Sequence, residues 1–173
     1  RHGYTQRTDP VFIQSFEVGN LAALRAITPL RLIQLVDAHG APADRPQTPY
    51  ASMMSAAGLA DIAQYADGIG PAKDMVLARD GAGRLAGSTG LVAAAHHAGL
   101  AVHPWTFRAE NYFLPANLRI APAGDAVADA AAGASAHGDL AAEIRAFVDE
   151  GVDGLFADYP AIAAQVVAAM GGR

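Results

Sequence analysis

The sequence predicts an α/β protein with parallel strands and crossover helices. Short runs rich in Ile, Val, Leu and Phe alternate with alanine-rich runs of helical spacing. Polar residues gather where the apolar runs end, which is where α/β folds carry function. The chain has 173 residues, 52% of them hydrophobic, enough for one packed domain. A complete eight-stranded barrel takes about 250 residues. Five strand candidates in order therefore fit the second half or more of a (β/α) barrel, or a small doubly wound sheet.

The first element is "DPVFIQSF" (9–16), a β-branched and aromatic run after a Pro, expected as a buried strand. Leu21, Leu24 and Ile27 follow at helical spacing, with Asn20 as the expected N-cap. "LRLIQLVD" (30–37) is the second strand, and the Pro-rich stretch after it is a loop. "SAAGLADIAQYA" (55–66) is a helix that runs into a very short strand at 67–71, closed by Gly and Pro. A further helix is expected from about Ser88, with Gly99 near its end. "AVHPWTF" (101–107) is the fourth strand. Residues 108–138 are rich in Ala, Gly and Pro and are expected to form a loop insertion. Residues 139–151 form an amphipathic helix with Leu140, Ile144 and Phe147 on one face. "VDGLFADYP" (152–160) is the fifth strand and "AIAAQVVAAM" the last helix.

Composition removes several functions. The net charge of -5 gives no electrostatic basis for nucleic-acid binding. No run reaches the ~20 apolar residues of a membrane span. With no Cys, disulfides, thiolate nucleophiles and zinc–thiolate sites are absent together. The motifs G-x-G-x-x-G, Walker A, H-E-x-x-H and G-x-S-x-G are missing, which argues against nucleotide cofactors and a serine hydrolase. The chain opens "RHGYTQRTDP", without Met or a signal-like segment, and is expected to start within a longer protein.

The candidate site residues lie at the strand ends. They are Gln14 and Phe16, then Gln34 and Asp37, then Lys73, then His103, Trp105, Arg108 and Glu110, and last Asp158. Alternation puts His103, Trp105 and Phe107 on one side of their strand. An aromatic at such a mouth walls a pocket. His103 is expected to be a hydrogen-bonded core residue, and His96–His97 a solvated pair at a helix end. His2, His39 and His137 fall in loops and are given no role. A buried amide at Gln14 or Gln34 needs partners, which a structural network or a ligand would supply.

Four stretches in order, "VFIQSF", "YADGIGP", "AVHPWTFRAENYF" and "GVDGLFADYP", resemble the late strands of glycerophosphodiester phosphodiesterases, most nearly the bacterial periplasmic branch. The resemblance runs from about Val11 to Ala168. It implies a TIM (β/α)8 barrel of which this chain holds the C-terminal part, about five strands. It implies an enzyme that hydrolyses glycerophosphodiesters, such as deacylated phospholipids, to glycerol 3-phosphate and an alcohol. It also implies a His pair acting as base and acid, and a divalent metal, Ca²⁺ as the expected ion.

The family's His-Arg-Gly and Glu-x-Asp motifs have no counterpart here, since "RHGYTQ" has another order. No catalytic residue and no metal ligand is therefore carried over to this chain. Trp105 carries over as the aromatic of the substrate pocket, and Phe16 with Gln14 as the "QSF" strand end. Arg108 is expected to hold an anion, and Asp158 to support the site. The small-molecule diester is the expected partner, and the periplasm or the cell exterior the expected compartment. Open strand edges are expected to make the isolated chain self-associate. The alternatives are a truncated or degenerate barrel that binds glycerol-phosphate-like ligands or acts as a scaffold, and an unrelated α/β phosphate binder. The latter needs a Gly-rich loop opening a helix, and "DGAGRLAGSTG", expected as a solvent loop, is the one candidate.

Overall fold

The computed structural model describes residues 3–121 and 130–171. His2 and residues 122–129 of the expected insertion lie outside them. The chain forms β1 (Phe12–Ser15), α1 (Val18–Arg25), β2 (Arg31–Val36), α2 (Tyr50–Met53), α3 (Ala56–Ile62), β3 (Gly68–Pro71), β4 (Leu77–Arg79), β5 (Leu85–Ser88), α4 (Leu91–His97), β6 (Ala101–Val102), α5 (Ala130–Ser135), α6 (Leu140–Glu150) and α7 (Pro160–Ala169). Strands β1, β2, β3 and β6 make one parallel sheet in that order. Parallel neighbours need crossover connections, and helices supply them.

The centre of the sheet is built for close approach. Strand β2 is buried from Leu32 to Val36, as a strand covered on both faces must be. Its neighbour β3 reads Gly-Ile-Gly-Pro. A Cβ at Gly68 would lie 2.6 Å from the Ala101 carbonyl oxygen, and one at Gly70 would lie 2.5 Å from Leu35 Cδ2. These two glycines let β2, β3 and β6 meet without spreading.

Helices α3 and α6 start and stop by local chemistry. The Ser55 hydroxyl accepts from Gly58 N at the start of α3, and Asp139 accepts from Ala142 N at the start of α6. Gly151, at φ +97°, ends α6. Asn20 is not the cap of α1. The helix begins at Val18, and the Asp44 carboxylate accepts from Val18 N at 3.2 Å and Gly19 N at 2.6 Å. A side chain 25 residues away supplies the cap, which local spacing does not reveal. Ile27 lies beyond the helix and is exposed.

Other expectations change as well. "VLARDGAGRLAGS" is a β4–β5 hairpin, with the Asp80 side chain accepting from Ala82 N and Arg84 N and Gly83 at φ +74°. The expected solvent loop is its turn, and α4 starts at Leu91 rather than Ser88. Residues 152–160 are not a regular strand. They run beside 102–107, where Asp153 N meets Val102 O, Phe156 N meets Pro104 O and Phe107 N meets Phe156 O. Three residues on one side span two on the other, so one bridge, Phe107 with Ala157, survives. The fourth strand is regular only at Ala101–Val102, so its alternation stops early. Within 108–138 a 3₁₀ turn at Ala116–Leu118 and helix α5 form, and Glu110 bridges to His137.

Asp67 locks β2, α1 and the first described residues together. Its carboxylate accepts from Leu32 N and meets Arg25 and Arg7. Burial raises its pKa, but the Leu32 N–H, Arg25 and Arg7 outweigh this and hold it below the ordinary value. A depressed folded pKa gives stability that is present above the unfolded value and lost as pH falls through the folded one. Asp67→Asn is therefore expected to cost about 1–3 kcal/mol at pH 7. Thermal melts should converge with wild type as the pH falls below about 4. An equal Tm loss at pH 3 and pH 7 would contradict this.

Candidate functional site

At the C-terminal end of the sheet a cleft of about 480 Å³ opens between the ends of β2, β3 and the segment after β6. Asp37 and His39 line it from the end of β2, Lys73 and Asp74 from the turn after β3, Arg79 from the end of β4, and Trp105, Arg108 and Phe113 from the far side. Sequence reasoning gave His39 no role, yet it reaches this rim.

Trp105 sits where strand geometry puts it. Its indole N–H donates to the Gly70 carbonyl at 2.7 Å, and its main chain bridges to Ala72. The Phe16 ring packs edge-on to the indole at 5.7 Å and to Tyr50 at 6.3 Å. Phe16 and Trp105 are thus one aromatic group. Gln14 is not buried: it lies exposed on the row of Phe12 and Phe16, the row that faces His103 and Trp105. Gln34 is the buried amide. Its Nε2 donates to the carbonyls of Ser15, Phe16 and Leu35, and its Oε1 accepts from Tyr65 Oη at 2.9 Å. Burial pushes the Tyr65 hydroxyl up to about 12, so it stays a donor. Gln34 is therefore part of a structural network that fixes the main chain at Phe16.

His103 is a core residue. Its ring packs on Phe12 at 4.7 Å and Phe156 at 6.3 Å, and burial lowers its pKa. His103 and Trp105 meet the same row of β1, but Phe107 does not follow them. It is fully buried and meets Phe147 of α6 at 4.9 Å. Only bridges hold the chain beyond Val102, so side chains there no longer obey the period of two. His96 pairs with Asp153 at 2.8 Å near the end of α4.

Arg108 reaches the cleft with its Nε bound to Asp158 at 2.7 Å and its guanidinium 4.5 Å from the Phe113 ring centroid. The side chain remains partly exposed. Glu110 points elsewhere, accepting from Tyr159 Oη at 3.0 Å, and His137 Nε2 lies 3.0 Å from the same hydroxyl.

Beneath the cleft lies an ion pair that the sequence did not single out. Lys73 Nζ donates to both oxygens of Glu143 on α6, at 2.7 and 2.9 Å. Lys73 is 7% and Glu143 0% exposed. Burial lowers the Lys73 pKa while Glu143 opposes the shift; burial raises the Glu143 pKa while Lys73 opposes it. The signal was legible: Glu143 falls three residues after Leu140 and four before Phe147, on the apolar face.

Among the described residues no three His, Asp or Glu side chains converge as a metal site. The residues present do not fit the metal that the resemblance implies. Among the same residues, no helix is long and apolar enough to cross a membrane.

Comparison with known proteins agrees with this architecture. The chain is 39% identical over 105 residues to glycerophosphodiester phosphodiesterase GDPD6 of Arabidopsis thaliana, which is 61% of this chain and 28% of the relative. A crystal structure from Agrobacterium tumefaciens, assigned as a glycerophosphoryl diester phosphodiesterase, superposes with TM-score 0.51 at 18% identity, covering 91% of this chain and 43% of that one. A second, from Silicibacter pomeroyi, gives TM-score 0.53 at 21% identity, covering 91% and 37%. The chain thus spans under half the length of these relatives, and the two structures support the barrel-type α/β fold. The model of the glycerophosphoryl diester phosphodiesterase family matches residues 1–162, and the chain belongs to that family.

Proposed function

We propose that this chain acts in the hydrolysis of glycerophosphodiesters to glycerol 3-phosphate and an alcohol, as the substrate-binding wall of the site. The observation that carries this is the pairing of Trp105 with Arg108 in one cleft at the C-terminal end of a parallel sheet. Trp105, backed by Phe16, offers an apolar face to the glycerol carbons and keeps water from them. Arg108 offers a planar cation to the phosphoryl oxygens, the geometry that suits such anions. Gln14 flanks this wall from β1. The His pair, and the ligands of a divalent metal with Ca²⁺ as the proposed ion, lie outside the described residues on this reading. The proposed compartment is the periplasm or the exterior, after the bacterial branch whose motifs the chain resembles.

The test is release of glycerol 3-phosphate from glycerophosphocholine by the full-length protein. Arg108→Ala removes one charge-assisted contact, so KM is expected to rise about tenfold with kcat little changed. An unchanged KM would remove Arg108 from the site. Binding of glycerol 3-phosphate without turnover would favour the non-catalytic binder instead.

Self-association belongs to the same proposal. Among the described residues strand β1 pairs only with β2, and Phe12 and Phe16 are each 38% exposed. The isolated 173-residue chain is expected to elute above its 17.8 kDa monomer mass in size-exclusion chromatography. A monodisperse monomer with one cooperative melt would contradict it.

A further inference from the structure

Lys73 is the residue that touches both walls of the cleft. Its backbone N–H donates to the Trp105 carbonyl at 3.1 Å. Its Nζ lies 3.4 Å from the Phe113 carbonyl, a long contact, and 5.2 Å from the Phe107 ring centroid. The Phe113 carbonyl also accepts from Arg79 Nη2 at 3.2 Å, and Arg79 Nε meets Asp74 at 2.9 Å. Phe113 in turn carries the Arg108 guanidinium over its ring. Lys73 therefore joins the two walls through two groups: its backbone N–H holds the strand-side wall at Trp105, and its buried ammonium, held by Glu143, reaches the loop-side wall at Phe113, over whose ring Arg108 lies.

The arrangement exceeds what stability alone requires. An apolar pair of similar volume fills such a space at equal or lower free energy, because a buried ion pair recovers little beyond its desolvation cost. What an apolar pair lacks is direction, since only a donor can reach the Phe113 carbonyl while anchored to α6.

We infer that Lys73, charge-matched by Glu143, is a positioning residue that sets the separation of Trp105 from the Arg108–Phe113 wall and thereby the fit of the glycerophosphodiester. The inference rests on the function proposed above.

The test uses the full chain and its one tryptophan, Trp105, as reporter. The double variant Lys73→Met/Glu143→Leu replaces the pair by apolar groups. Acrylamide quenching of Trp105 fluorescence reads the cleft with no ligand present. Titration with glycerol 3-phosphate reads the fit. In the double variant, quenching is expected to increase and glycerol 3-phosphate affinity to fall about tenfold, while Tm stays near wild type. Unchanged quenching together with unchanged affinity would overturn the inference and leave the pair a structural one. If the double variant fails to fold by circular dichroism, Glu143→Gln in the same two assays carries the same outcomes. If wild type gives no response to glycerol 3-phosphate, the reading of the cleft as the substrate site fails. The quenching comparison then still decides whether Lys73 positions Trp105. In the full-length enzyme the same double substitution is expected to raise KM, which a loss of folding stability alone would not do.

Discussion

Glu143→Leu as a single substitution is expected to destabilise the protein by about 3–5 kcal/mol, because it leaves the Lys73 ammonium buried with no counter-charge. The carboxylate takes two hydrogen bonds from Lys73, and both groups are almost fully covered. Water cannot replace the lost partner without opening the contact between α6 and the turn after β3. The Phe113 carbonyl, at 3.4 Å, accepts a long hydrogen bond but supplies no counter-charge. Adding Lys73→Met to the same chain is expected to recover most of the loss, since the charge that made the vacancy costly is gone. Urea melts of the three proteins check this. Equal losses in the single and double variants would mean that shape, and not charge, sets the energetics there.

Phe107→Ala is expected to cost about 3–5 kcal/mol through lost burial and the cavity left behind. Phe107 is 0% exposed, stacks edge-on with Phe147 and sits beneath the Lys73 ammonium. Its main chain bridges to Ala157 and accepts from Asp158 N, so it joins the sheet to the segment that carries the partner of Arg108. The cavity would open between α6 and the floor of the cleft. Denaturant melts measure the loss. A cost below about 1 kcal/mol would mean that the space collapses, and that Phe107 is a filler and not a keystone.

Much of the fold was legible because its signals are local. Strands β1 and β2 are β-branched and aromatic runs, and β3 announces itself by two glycines and a proline. Helices α3 and α6 carry their own capping residues in Ser55 and Asp139. What stayed hidden is set by contacts distant in sequence. Asp44 caps α1 from within the Pro-rich loop, and Lys73 finds Glu143 70 residues away. The hairpin strands β4 and β5 are too short for a period to emerge, although the Asp80–Gly81 pair and Gly83 were a turn signal. The stretch 152–160 has strand-like composition, but it pairs on one side only and with a mismatch in count.

The site divides the same way. Trp105 and Arg108 stood out because an indole and a cation at a strand end are chemically conspicuous, and Phe16 because it closes the "QSF" stretch of the family resemblance. Gln14 and Gln34 looked alike in sequence and part company in space, since the register pairs Gln14 with Ile33 and Gln34 with Ser15 and so sets them on opposite faces of the sheet. The fully covered amide became a brace and the uncovered one did not.

The glycines of β3 bear on how this cleft tolerates change over evolution. The indole of Trp105 is anchored to the carbonyl of residue 70, a peptide group that every amino acid provides. Substitution at 70 cannot delete that acceptor; a Cβ there meets Leu35 Cδ2 at 2.5 Å and the His103 carbonyl oxygen at 3.3 Å, so it displaces the Leu35 side chain before it presses on the neighbouring strand. Drift at this position is therefore filtered by volume and not by chemistry. The aromatic wall should therefore be more sensitive to how large a residue stands at 70 than to whether it is polar.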